Sequence, residues 1–251
     1  MIRWPAGLPL RMRAFLLHLL CSAVLALFAI GLVFWVWYPA PLDQAVGVGN
    51  IFLLLLFVDV VLGPLLTLLV FNVAKKSLRF DLAVIVVLQL SAFAYGMAMV
   101  AEGRPVWLVF SVDRFDVVRA NEFDRRYLAQ ARPEYRQPSW LGPQWVAAPL
   151  PKDIEQRNTL TFEAAFAGLD LPQRADLYRP LVESAAEIQR KAQALDTLHQ
   201  YNTPAVVAAV RARFPQADAW LPLMSRSRAM TVLLRRETAE VVAVVELTPW
   251  K

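Results

Sequence analysis

Apolar and polar positions follow one pattern up to residue 101 and another after it. The first part holds three long apolar runs: AFLLHLLCSAVLALFAIGLVFWVWY (14–38), roughly Val48 to Val73, and Leu82 to Ala101. A helix of ~20 apolar residues crosses the hydrocarbon core of a bilayer, so each run predicts a membrane span. The first run carries Trp35, Trp37 and Tyr38 at its end, rings suited to the headgroup layer, and Pro39 and Pro41 stop it. It exceeds the apolar stretch of a signal peptide and ends without an A-x-A site, and Leu20 before Cys21 makes a poor lipoprotein cleavage site. A retained helix is expected.

Residues 102–251 are long enough for one further domain. VWLVFSV (106–112) predicts a central strand, which DRFDVV continues or returns. Asn121 is placed to cap a helix over EFDRRYLAQA. ARPEYRQPSWLGPQWVAAPLPKD, rich in Pro and aromatic residues, predicts a long ordered loop with a short strand at WVAAP. Helical spacing marks KDIEQRNTLTFEAAFAG and RPLVESAAEIQRKAQALDTLHQYN, the second with Leu181, Ile188, Leu195 and Leu198 along one stripe. TPAVVAAVRARFP predicts a helix with Thr203 as cap and Pro204 in its first turn. AMTVLLR and ETAEVVAVVEL (229–247) predict a terminal hairpin turning around Arg236 to Ala239. Strand, helices and hairpin make an α+β domain. The expected fold is therefore a membrane protein: three N-terminal transmembrane α-helices (1–101), then a periplasmic α+β domain (102–251).

Charge supplies the orientation. Arg3, Arg11 and Arg13 precede the first span, AKKSLRFD with three basic residues joins the second and third, and PAPLDQAVGVG between the first two has none. The positive-inside rule puts the N-terminus and the basic loop in the cytoplasm, and three spans deliver the last domain to the far side. Composition agrees with this division. Of the 251 residues 57% are hydrophobic, and the mean hydropathy of +0.42 is too high for an ordinary soluble domain. Residues 1–101 carry six basic and three acidic residues, net +3, and the remainder twenty and eighteen, net +2. Neither part has the basic stripe of a nucleic-acid reader.

Candidate chemistry is sparse. The single cysteine, Cys21, excludes an intramolecular disulfide, and with His18 and His199 far apart no familiar metal cluster forms. GVGN (47–50) follows no strand, neither G-x-S-x-G nor H-E-x-x-H occurs, and His199 has no partner constellation. No cofactor and no catalysis are expected. His18 is expected to snorkel to the interface or to bond a neighbouring helix.

The notable position is Asp59, an acid inside the second span, shortly before the pair Gly63-Pro64. A carboxyl at mid-bilayer costs ~3 kcal/mol and so faces protein rather than lipid. Gln89 of the third span lies at similar depth. Either an Asp59–Gln89 hydrogen bond glues two helices, or a cleft kinked by Pro64 and narrowed by Gly63 receives another apolar helix and offers it a polar contact. Past the central strand, Asp113, Arg114 and Asp116 stand as a recognition edge, or Arg114 simply pairs with Asp113 or Asp116. Trp140 and Trp145 either anchor a protein partner or pack their loop onto its own domain.

These residues also carry a resemblance. FWVWYPAPL ending the first span, VDVVLGPLLT, KKSLRFDLAVI, VWLVFSVDRFDVV and a C-terminus closing on ELTPW, in that order, resemble the type IV pilin accessory proteins called TfpX/TfpZ. The likeness runs from about residue 13 to 251 and is densest from Trp35 to Val118. Ala239 departs from it, standing where that family has a glycine in the hairpin turn. The resemblance implies a bacterial inner-membrane protein without catalytic residues, acting as a pilin-specific chaperone or assembly factor, and its matching segments carry Asp59, Gly63, Pro64, Asp113, Arg114 and Phe115 as candidate partner-binding residues. Its partners would be the major type IV pilin subunit, other pilus assembly proteins and the lipid bilayer. Two other classes stay open at this point: a membrane-anchored periplasmic sensor or scaffold, and an enzyme modifying pilin.

Overall fold

The structure is a computed structural model that describes residues 7–250. Arg3, one of the basic residues used for orientation, lies outside the described residues. The chain divides into two compact units. One runs up to Trp35 and takes in Val48–Glu102; the other takes in Val36–Gly47 and everything from Gly103 onward.

The first unit is helical. Helix α1 (Leu10–Gly31) continues as a wider π-type turn, Leu32–Trp37, and α2 (Leu42–Val46) follows in the other unit. The second long helix is composite: α3 (Gly49–Phe57), a π turn (Val58–Leu62) and α4 (Gly63–Val70). Helix α5 (Leu78–Gly103) is the third. As continuous helices they span 28, 22 and 26 residues, each long and apolar enough to cross a membrane. The first starts at Leu10 rather than at residue 14, so Arg11 and Arg13 stand in its opening turns. The Arg11 guanidinium donates to the Leu68 carbonyl near the end of α4, where helical carbonyls lack partners. The third extends past its apolar run at both ends, and the Ser77 hydroxyl bonds the Asp81 carboxylate across its first turn.

The second unit is built on a seven-stranded mixed sheet. Its strands are β1 (Pro105–Ser111), β2 (Arg114–Arg119), β3 (Gln144–Ala147), β4 (Gln193–Ala194), β5 (Ala219–Met224), β6 (Met230–Arg235) and β7 (Glu240–Val245). The order is β3-β1-β2-β5-β6-β7, with β4 on the β2 side of β5. The β1–β3 and β2–β5 pairs are parallel and the others antiparallel. Every residue of β1 is buried, as its continuous apolar run requires of a strand covered on both faces. From Trp107 on, past a register irregularity at the strand's start, its side chains alternate between two cores. Val106, Trp107 and Val109 join Phe123, Tyr135 and Tyr178, whereas Leu108 and Phe110 join Phe115, Leu221 and Val232. The Trp107 ring meets Tyr178 and Tyr135 edge-on at 5.4 and 5.8 Å.

Three helices accompany the sheet: α6 (Ile154–Ala167), α7 (Ala185–Lys191) and α8 (Pro204–Arg213). Four features depart from the sequence reading. No α-helix forms over EFDRRYLAQA. There Asp124 accepts the Arg126 N–H at 3.0 Å and Glu122 accepts the Arg119 N–H at 3.1 Å, so side chains take up backbone donors in turns instead. The stretch 179–202 is not one helix but a 3-10 turn, α7, β4 and a second 3-10 turn. It breaks where Ala192 turns extended and β4 pairs with β5, and the Trp220 indole holds the break by donating to Ala194 O (3.1 Å) and Thr197 Oγ1 (2.9 Å). Ile188, Leu195 and Leu198 still point inward. Strand β5 has no counterpart in the sequence reading, because Pro222 marks its run as unfavourable for a central strand. Its ladder with β2 covers only Leu223 and Met224, so the proline falls outside that pairing.

The fourth departure is the segment 36–47, expected as a mere connection. It is a clamp built into the sheet unit. Leu42 and Ala45, one helical turn apart on α2, are buried in the core beside Leu221 and Val232. Ala45 O accepts the N–H groups of Ser227 and Arg228 (3.1 and 3.2 Å) and the Ser225 hydroxyl (2.8 Å). Gln44 donates to Glu246 at 2.6 Å. The clamp ends on Gly47, whose φ of +80° suits glycine and whose missing Cβ would meet Ser227 Oγ at 2.5 Å.

Candidate functional site

The π turn at Val58–Leu62 explains the Asp59 region. In π register the Gly63 N–H bonds back to Val58 O, so the next donor, which Asp59 O would need, is that of Pro64. Proline has none. The orphaned carbonyl is taken up from the third helix: Gln89 Nε2 donates to Asp59 O at 2.8 Å and to Ser22 Oγ of the first helix at 3.0 Å. One amide thus ties three helices together. The expected Asp59–Gln89 pairing is present, and its hydrogen bond reaches the Asp59 backbone carbonyl, which Pro64 leaves unpaired. Asp59 Oδ2 and Gln89 Oε1 are buried without a hydrogen-bond partner. Gly63 makes the arrangement possible, since a Cβ there would lie 1.9 Å from Gln89 Oε1.

Asp59, Gly63 and Pro64 are all buried, so the acid faces protein. What opens outward is a groove of about 430 Å³ lined by α1, α4 and α5. Leu17, Leu25, Val86 and Leu90 make its apolar part, and His18, Ser22, Thr67 and Gln89 a polar floor. His18 Nδ1 lies 2.6 Å from Thr67 Oγ1, so this histidine bonds a neighbouring helix. One wall is little covered: only 6% of the most apolar window of α5 is buried, against 28% for the second helix. The sequence pointed to Asp59 and Gln89 but not to Ser22 and Thr67, whose small hydroxyls carry no signal until the helices are placed. On another face of the unit a cleft of about 810 Å³ lies between Ala23, Ala26 and Ile30 of α1 and Leu53, Phe57 and Val60 of the second helix, almost wholly apolar.

In the sheet unit the predicted recognition residues separate. Asp113 sits at the tip of the β1–β2 turn with Val112, a β-branched residue at φ 57°. Arg114 pairs with Asp116 at 3.1 Å and not with Asp113. Burial pushes the Asp116 carboxyl above its usual range, and Arg114 and the Ser111 hydroxyl at 2.8 Å oppose the shift. Phe115 is wholly buried, which removes it as a candidate for direct partner contact: an aromatic at an inward β2 position packs on Phe110 and Trp145, at 5.5 and 5.1 Å. Trp145 is likewise part of the core's margin. Trp140 is exposed, at 61%, and so is Asp113. Beneath the turn lies a hollow of about 390 Å³ lined by Val112, Asp113, Arg114, Arg157, Thr161 and Asp170 among others. Among the described residues no group of His, Cys, Asp and Glu is placed to hold a metal ion.

Comparison with known proteins gives this arrangement a setting. The family model described as Fimbrial assembly protein FimB matches residues 8–47, which is the first helix and the clamp. A fimbrial assembly protein of serogroup E1 from Dichelobacter nodosus is 33% identical over 239 residues, 92% of this chain and 93% of that one. The chain belongs to the fimbrial assembly protein (FimB) family. A serogroup I relative from the same organism is 36% identical over 71% of this chain and 70% of its own length. The protein of serogroups C1 and C2 is 38% identical over 46% of this chain and 89% of its own. No solved structure matches the chain. For a fimbrial assembly protein, the features to explain are those outside the ordinary needs of folding: a polar-floored groove among apolar helices and a second unit with its own core.

Proposed function

We propose that this fimbrial assembly protein is a non-catalytic inner-membrane factor of the TfpX/TfpZ kind, a chaperone for the major type IV pilin before it enters the fibre. Its N-terminus and the 71–77 loop face the cytoplasm and its sheet unit faces the periplasm, an orientation that the basic flanks support. A pilin awaiting assembly has an apolar helix in the membrane and a folded head outside it. The helix lies in the groove between α1 and α5, and the head meets the sheet unit near Asp113 and Arg114. Two modest contacts on one tethered partner raise effective concentration without either being strong.

The observation that carries this reading is the groove. Apolar side chains give a passing helix its packing surface, and in hydrocarbon the polar floor of His18, Ser22, Thr67 and Gln89 offers it hydrogen bonds. Asp59 acts through Gln89, by setting where the amide is held, and does not itself touch the partner. Filling the groove tests the reading: Val86→Trp, at normal protein level, is expected to abolish co-purification of the major pilin and reduce surface fimbriae. Pilin that co-purifies undiminished with that variant would overturn the groove as the binding site.

A further inference from the structure

The loop Ser139–Gly142 has a feature that pilin binding does not use. Its tip exposes two consecutive large apolar side chains, Trp140 at 61% and Leu141 at 88%. They are not loosely held. The Ser139 hydroxyl accepts the Leu141 N–H at 3.0 Å, and Gly142 turns the chain at φ +107°. The Arg104 guanidinium stacks 3.9 Å over the Trp140 ring, and the Trp37 ring lies 6.0 Å from it. A folded domain gains nothing in water from fixing Trp140 and Leu141 outward.

Position supplies the reason. The loop packs on Val36 and Trp37, the last turn of the first long helix, within the same compact unit. A Cβ on Gly142 would stand 3.1 Å from Val36 O, so backbone meets backbone here. If that helix crosses a bilayer, its closing aromatic turn marks the headgroup depth. The loop tip therefore sits at that depth too. Its charge fits as well: between Glu134 and Lys152 the only Asp, Glu, Lys or Arg is Arg136, so the loop itself brings no acid to an anionic surface.

We infer that Trp140 and Leu141 insert into the periplasmic headgroup layer and fix the sheet unit's tilt against the membrane. This rests on the membrane reading under Proposed function. The partner is lipid: a Trp–Leu pair continuous with a span's interfacial end suits the boundary between headgroups and acyl chains.

The test uses the full chain with Cys21→Ser, reconstituted in phosphatidylethanolamine–phosphatidylglycerol vesicles. Single cysteines replace Leu141, Leu27 on the first helix, or Thr238 on the β6–β7 turn, and each carries a nitroxide. Leu141 is exposed, so its label disturbs no packing. Relaxation by oxygen relative to a water-soluble nickel chelate reads depth. The Leu141 label is expected to give a ratio several-fold above that at Thr238 and below that at Leu27. A Leu141 ratio equal to that at Thr238, with Leu27 deep in lipid, overturns the inference alone. A Leu27 label reading as water-exposed overturns the membrane reading and the inference with it.

Discussion

Replacing Gly63 by alanine probes the helical unit through a sign change. The new methyl would lie 1.9 Å from Gln89 Oε1 and 2.4 Å from its Cδ, so the amide must leave its seat. Leaving it breaks the bonds to Asp59 O and Ser22 Oγ, and Pro64 provides no donor to replace the first. Hydrogen bonds between membrane helices are worth ~0.6 kcal/mol on average and up to ~1.7, so two together contribute about 1–3 kcal/mol. Alanine's helix preference over glycine returns about 1 kcal/mol. Gly63→Ala alone is therefore destabilising by ~0–2 kcal/mol. In a Gln89→Ala background the three atoms nearest the methyl are gone, and the same change is expected to stabilise by about 1 kcal/mol. The coupling, about 1–3 kcal/mol, is measured by reversible SDS unfolding of the full chain in bicelles for the four members of the cycle. A coupling within ~0.5 kcal/mol of zero would refute the claim that Gly63 exists to seat Gln89.

Other consequences lie in the sheet unit. Gly47→Ala should lower its melting temperature, since a left-handed non-glycine residue costs ~1–3 kcal/mol and the methyl meets Ser227; adding Ser227→Ala should restore part of the loss, and no loss at all would remove the clamp from the core. Val112→Gly should stabilise the unit by ~1 kcal/mol in denaturant titration, because it frees a β-branched residue from φ 57°; unchanged stability would mean the turn is not strained. Acid should destabilise the unit through Glu122 and Asp124. Burial pushes both carboxyls up, but Arg119 and Arg126 outweigh it and hold them below the usual range. Their contribution is present above the unfolded carboxylate pKa of about 4 and is lost as pH falls through the folded values, so Glu122→Gln should flatten the melting-temperature profile there. Asp116, raised by burial, has the opposite sign: its contribution is present below about pH 4 and lost as pH rises through its folded value, so Asp116→Asn should not flatten that acid slope.

Much of this architecture was legible in the chain because it follows from solvent and period. Runs of twenty apolar residues and the apolar, β-branched strands of the terminal hairpin are set by burial alone. What escaped was set by contacts distant in sequence. Pro222 hides β5, and only the short ladder with β2 shows why a proline is tolerated there. Leu42 and Ala45 carry too little hydrophobic signal to announce a clamp, and their burial depends on strands some 180 residues later. The stripe Leu181, Ile188, Leu195 and Leu198 predicts one helix, but a stripe says which side is buried and not whether the backbone stays continuous. At the site, Asp59 and Gln89 could be paired by depth, but which atom of Asp59 accepts the bond depends on the π register, invisible without coordinates. Ala239 is the converse case: the resemblance marked it as standing at a glycine position, and its φ of 57° is the left-handed conformation glycine favours.

The proposed function depends on one partner, the major pilin, lying in the helical groove and reaching the sheet unit. Photo-crosslinking in fimbriated cells decides that point, with benzoylphenylalanine placed at Leu90 in the groove or at Val112 on the β1–β2 turn. The major pilin should be captured from both positions, and Val86→Trp should remove the product at Leu90. Capture of no pilin from either position, in cells that still make fimbriae with the labelled protein, would rule the shared partner out.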